Sequence, residues 1–154
     1  NTLLGQRLNL TSSIDIFDNL IKKNEWETLI RLFSLNILDI NHRYCKGRNI
    51  LYFAILNKKY EYIKILFDLR VNSRVNFSLN AINFAVCLDD IKSLEILLKS
   101  GLSVDTLDEI GTSPLIYAIL YNKKKSAEFL IKSGADLELE DFMGNCAKFL
   151  LHSK

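Results

Sequence analysis

Two histidines and three cysteines are the residues of this 154-residue chain best suited to nucleophilic or metal chemistry, and their spacing supports neither. His42 and His152 stand near opposite ends, and neither has a nucleophile or a set of metal ligands at a usable spacing. His42 reads as a loop residue. Cys45, Cys87 and Cys146 are odd in number and lie 42 and 59 residues apart, which matches neither a disulfide framework nor a paired-cysteine metal site. Such usage suits a reducing compartment, cytoplasm or nucleus, where the acceptor triplets Asn9-Leu-Thr11 and Asn76-Phe-Ser78 are chance matches. The acidic cluster Asp136, Glu138, Glu140 and Asp141 has the charge for calcium but not the spaced ligand loop, and reads as a solvated hairpin. The glycines form no phosphate-binding loop. Lys123-Lys-Lys125 lacks the alternating aromatic residues of a nucleic-acid platform and reads as a solvated turn. The chemistry-bearing residues therefore predict no enzyme, no cofactor and no metal.

The elements that would position these residues form one globular unit. Hydrophobic residues make up 49% and charged residues 25%, and no apolar run approaches the roughly 18 residues of a membrane helix. The chain is long enough to bury a core. It opens on Asn1 rather than Met, as expected of a piece cut from a longer protein, and its start does not read as a signal peptide. The net charge of +2 hides an asymmetry: residues 1–77 hold 12 basic against 7 acidic residues, residues 78–154 hold 8 against 11.

A fixed repeat organises the chain. Gly101-Leu-Ser-Val-Asp105 recurs as Gly134-Ala-Asp-Leu-Glu138, and Asp108-Glu-Ile-Gly111 recurs as Asp141-Phe-Met-Gly144, each at a shift of 33. Ala54, Ala85 and Ala118 follow the same register, and each is followed twelve residues later by Leu66, Leu97 or Leu130. Leu20 and Leu32 extend that spacing toward the N-terminus. Each unit carries two apolar helical stretches with a polar break between them. Asn80 and Ser113 are placed to cap first helices, Asp89 or Asp90 a second one, and Pro114 to open a helix. Gly101 and Gly134 are placed to end second helices.

Asp108-Glu-Ile-Gly-Thr-Ser-Pro-Leu-Ile-Tyr-Ala118 and Leu130-Ile-Lys-Ser-Gly-Ala-Asp136 resemble the signature and closing segment of the ankyrin repeat family. The resemblance implies an all-α solenoid of stacked helix-turn-helix repeats with short β-hairpin fingers. It divides the chain into an N-terminal extension (1–11), a capping repeat (12–43), repeats at 44–74, 75–107 and 108–140, and a truncated closing unit (141–154). Helices are expected at 14–21, after Ser12 or Ser13, at 25–33 and at 145–152. The N-terminal cap should turn Asp15, Asp18, Lys22 and Lys23 outward. No unit keeps the family's His, which Tyr52, Asn83 and Ile116 replace.

The family's geometry implies that finger tips and the solvent side of the first helices form a concave face. Transferred residue by residue, this face would carry Lys46 and Arg48, Leu56, Phe77 and Leu79, Leu88, Glu109 and Ile110, Leu120 and Tyr121, and Phe142 and Met143. Those residues make an apolar strip with Arg43, Lys46 and Arg48 at one end and Asp108, Glu109 and Asp141 at the other. The strip is expected to hold another protein, a peptide or helix with apolar anchors, its acidic end toward Arg48 and its basic end toward Glu109. Nucleic acid and membrane are disfavoured as partners. The same resemblance allows two alternatives: the substrate-recognition arm of a ubiquitin ligase, or the regulatory domain of a larger enzyme, channel or RNA-binding protein.

Overall fold

The computed structural model describes residues 10–152, in which nine α-helices form two rows and no extended strand is present. They are α1 (Leu10–Lys22), α2 (Trp26–Ser34), α3 (Ile50–Leu56), α4 (Tyr60–Asp68), α5 (Ala81–Cys87), α6 (Ile91–Lys99), α7 (Pro114–Leu120), α8 (Lys124–Lys132) and α9 (Ala147–His152). First helices α3, α5, α7 and α9 pack side by side, second helices α2, α4, α6 and α8 do the same, and each first helix from α1 to α7 packs on its own second helix. The result is the all-α repeat solenoid that the family resemblance implied.

The repeated alanines and leucines are the seam between the rows. Ala54 and Ala85 have no exposed surface, Ala118 has almost none, and Leu66, Leu97 and Leu130 are fully buried. An alanine lets the paired helix approach closely, and a leucine twelve residues on fills the space that remains. At the N-terminal end Phe17 stacks on Tyr44 at 3.7 Å and meets Phe53 edge-on at 5.4 Å, and Trp26 stacks on Tyr62 at 5.9 Å. These contacts seat α1 and α2 on the stack.

Local signals account for the boundaries. Asn49, Asn80 and Ser113 each accept a hydrogen bond from the backbone N–H three residues on, and Pro114 occupies the first helical position. Asp90 caps α6 through Ser93 N–H. Gly101 and Gly134 end second helices at φ +103° and +93°, and Arg70 fills the matching place at φ +67° without glycine's freedom. Two boundaries differ from the reading above. Ser12 and Ser13 lie inside α1 instead of before it, because the helix already runs from Leu10, and α9 starts at Ala147. Lys22, Lys23 and Asp18 are exposed as expected, while the side chain of Asp15 lies outside the described residues. Residues 1–9 of the N-terminal extension also lie outside them.

The fingers are not the expected β-hairpins. Each is a five-residue turn joined end to end by a backbone bond, from Tyr44 N to Arg48 O, Val75 N to Leu79 O, Asp108 N to Thr112 O, and Asp141 N to Asn145 O, with at least one further backbone bond of shorter span inside it. Only isolated bridges, Arg74 with Asn80 and Glu140 with Cys146, resemble strand pairing. In three of the four, side chains take the tip N–H groups, and in the first Gly47 N and Arg48 N turn to the carbonyls of Tyr44 and Cys45. Asp108 accepts from Ile110 and Thr112, Asp141 from Met143 and Asn145, and Asn76 from Ser78 and Leu79.

Asn83 stands in the place of the missing His and is fully buried, with neither its amide oxygen nor its nitrogen hydrogen-bonded. Two orphaned polar atoms in a core cost free energy that an apolar side chain of similar shape does not. Asn83→Leu is therefore expected to raise the unfolding free energy by about 1 kcal/mol or more, read as an upward shift of the thermal midpoint. A lower midpoint would show that the surrounding core has no room for the added branch.

Candidate functional site

Inter-repeat contacts bring the fingers into one continuous row. Phe77 lays its ring over Gly47 of the preceding finger, so close that a Cβ there would sit 2.5 Å from Cδ1, and Phe142 lies over Gly111 in the same way. Both glycines have positive φ, so glycine is required there twice over, by the turn and by the ring. The middle of the row is joined by charge, with Arg74 Nη1 2.6 Å from Glu109 Oε1. Arg43 Nη1 donates to the carbonyls of Gly47 and Arg74 and ties the first two fingers at their bases. Phe77 and Phe142 thus lean on a neighbouring repeat and do not fold back onto their own. Both stay exposed, at 66% and 76%.

Most of the expected strip is exposed. Ile110, Leu120, Tyr121 and Met143 are more than half exposed, and Leu56 and Leu88 somewhat less. Leu79 departs from that pattern, being half-buried and packed against the core. Tyr121 is held in place by stacking on Tyr117 at 5.7 Å, and Tyr117 in turn donates from its hydroxyl to Asp108 Oδ2. Burial first, and then that bond, push the Tyr117 phenol well above its ordinary pKa, so it remains a donor. A rigid aromatic step therefore leads from the base of a finger onto the end of α7.

The expected charge at the two ends is largely committed to the fold. Arg48 donates to Cys45 O and rests over the rings of Tyr52 and Phe53 at 5.4 and 5.6 Å. Lys46 is exposed at a finger tip, at φ +62°. Glu109 is paired with Arg74, and Asp108 and Asp141 are occupied by their own turns. The backbone N–H of Asn145 holds the Asp141 carboxyl below its usual range. Burial, and then the charge of Arg74, lower the Arg43 guanidinium. The sequence reading missed Arg74, although it follows Arg43 at the same 31-residue shift that separates Ala54 from Ala85.

The described residues include no group of His, Cys, Asp and Glu that could hold a metal ion, and no helix is long and apolar enough to cross a membrane. His42 is half-buried edge-on to Tyr44 at 4.5 Å, and His152 is exposed on α9. Cys45, Cys87 and Cys146 are all free thiols, and burial raises that of Cys87.

Among curated proteins no relative matches the chain. The family model of ankyrin repeats matches residues 67–141 in three copies. That span takes in α5 to α8, the finger turns at 75–79 and 108–112, and the leucine seam at Leu97 and Leu130. Residues 67–141 thus carry ankyrin repeats, which are generally protein–protein interaction modules.

Proposed function

We propose that the chain is a non-enzymatic interaction module that holds a segment of another protein along the finger row and the exposed ends of the first helices. One observation carries this reading. Large apolar side chains, Phe77, Ile110, Leu120, Tyr121, Phe142 and Met143, are exposed together on a fold whose alanine–leucine seam is fully buried. Leu56 and Leu88 continue the set on α3 and just after α5. Phe142 and Tyr121 are pre-positioned by Gly111 and Tyr117, so binding orders little that is not ordered already. With Glu109 held by Arg74 and Arg48 by its own finger, apolar anchoring supplies more of the affinity than pairing at the two ends.

Tyr121→Ala and Phe142→Ala are each expected to weaken binding by about 1 kcal/mol or more, in the range of interface anchors. Affinity capture with the wild-type chain beside the double variant, followed by titration of the purified partner, measures this. Equal affinity for both proteins would show that the strip is the wrong surface.

A further inference from the structure

The turns that join first to second helices form an edge of the stack that begins where the apolar strip ends, at Leu56, Leu88 and Tyr121. Two hydrogen-bond sets show that these turns are neighbours in space. Tyr60 Oη, at the start of α4, donates to both carboxylate oxygens of Asp90 at 3.0 Å. Ser126 donates to Asp89 Oδ1 through its backbone N and its Oγ, at 3.1 and 2.6 Å. The aspartates of the middle turn are thereby spent inward, holding their neighbours on either side. Burial, and then the bond to Asp90, push the Tyr60 phenol up to about 12, so it stays a donor.

Lysines line the same edge, exposed at Lys23, Lys58, Lys124 and Lys125 and half-buried at Lys59 and Lys123. Lys23 follows α1, Lys58 and Lys59 follow α3, and Lys123 leads into Lys124 and Lys125 at the start of α8. None of them makes an ion pair among the described residues; the three pairs found are Arg74–Glu109, Lys99–Glu95 and Lys148–Glu138. Lys92 covers the Tyr60 ring at 4.6 Å, which closes that ring to a stacking nucleobase. The exposed carboxylates beside the turns are Glu25, Glu27, Glu61 and Glu128, one or two to each turn, and none of them pairs with these lysines. Two of the three lysine turns follow directly on the end of the strip, since Leu56 precedes Lys58 and Leu120-Tyr121 precede Lys123.

We infer that this lysine edge is a recognition element for an acidic polypeptide segment, whose carboxylates lie along the turns while its apolar side chains occupy the adjoining strip. The inference rests on the proposed partner-binding role of that strip. It moves the charge complementarity from the ends of the strip, where most charged side chains are already committed to the fold, to one long side of it. Unpaired lysines of one sign along a row steer an oppositely charged segment and fix the face on which it docks.

The test uses the whole chain and two short fluorescent peptides with leucine at helical spacing, one filled with Glu and the other with Lys. The acidic peptide is expected to bind with an affinity that falls as salt rises, and the basic peptide to bind far more weakly. Replacing Lys58, Lys59, Lys123, Lys124 and Lys125 by Gln is expected to weaken the acidic peptide about tenfold or more and to flatten its salt dependence, with the melting temperature unchanged. If that variant binds the acidic peptide as wild type does while Tyr121→Ala loses it, the edge is refuted and the strip stands. If Tyr121→Ala has no effect while the lysine variant does, the strip reading fails and the combined site with it. Lysine-dependent binding of phosphatidylserine vesicles or of a single-stranded oligonucleotide, with the acidic peptide inert, would overturn the choice of a polypeptide.

Discussion

Leu97→Ala is expected to lower the unfolding free energy by about 3–5 kcal/mol, near the upper end for a buried leucine truncated to alanine. Leu97 is fully buried in α6, which packs against α4, α5 and α8. In a repeat stack each unit is stabilised chiefly by its neighbours, so a hole in a middle unit weakens the interfaces on both sides. The rigid alanine backbones behind it, Ala85 above all, offer little to collapse into the space. Urea unfolding followed by far-ultraviolet circular dichroism measures the loss. A cost below about 1 kcal/mol would mean that the seam relaxes freely, contrary to a close-packed junction.

Asn49→Ala is expected to cost about 2–4 kcal/mol, more than an ordinary helix cap, because this side chain does three things at once. It is fully buried, accepts from Tyr52 N–H at 3.1 Å to start α3, and donates to the carbonyls of Asn72 and Arg74 at 2.9 and 3.2 Å. Alanine would leave the Tyr52 N–H and the Asn72 carbonyl without these partners, while Arg74 O keeps its bond from Arg43. Asn49→Asp separates the roles. It retains the cap acceptor but turns a carboxylate toward two carbonyl oxygens, so it should be at least as damaging as alanine. A mild effect of the aspartate, beside a large one of the alanine, would show that capping is the whole contribution and that the ties to Asn72 and Arg74 are incidental.

Both positions illustrate how far the repeat could be read in advance. The register that placed Leu97 follows from periodicity, since a residue one unit on meets the same surroundings in a stack, and Asn49 stands in that register 31 residues before the cap Asn80. Leu79 shows where that transfer stops. Its finger lacks the glycine that Gly47, Gly111 and Gly144 supply to the others, closes instead through Asn76, and brings the leucine against the core.

What the sequence determined by itself is local. Caps at Asn49, Asn80 and Ser113, the stops at Gly101 and Gly134, and the alanine–leucine seam each depend on groups a few residues apart or on the period itself, and so they leave a pattern in the chain. Tertiary structure alone decided which side chains are spent between repeats. Phe77 over Gly47, Arg74 with Glu109, Ser126 on Asp89 and Tyr60 on Asp90 each join residues about one repeat apart, where no local rule names the partner. Those pairings consume Glu109, a charge of the strip's acidic end, and Asp89 and Asp90 of the turns. They leave apolar side chains and a row of lysines facing solvent, because a stack satisfies its polar groups through neighbouring units before it presents anything to a partner.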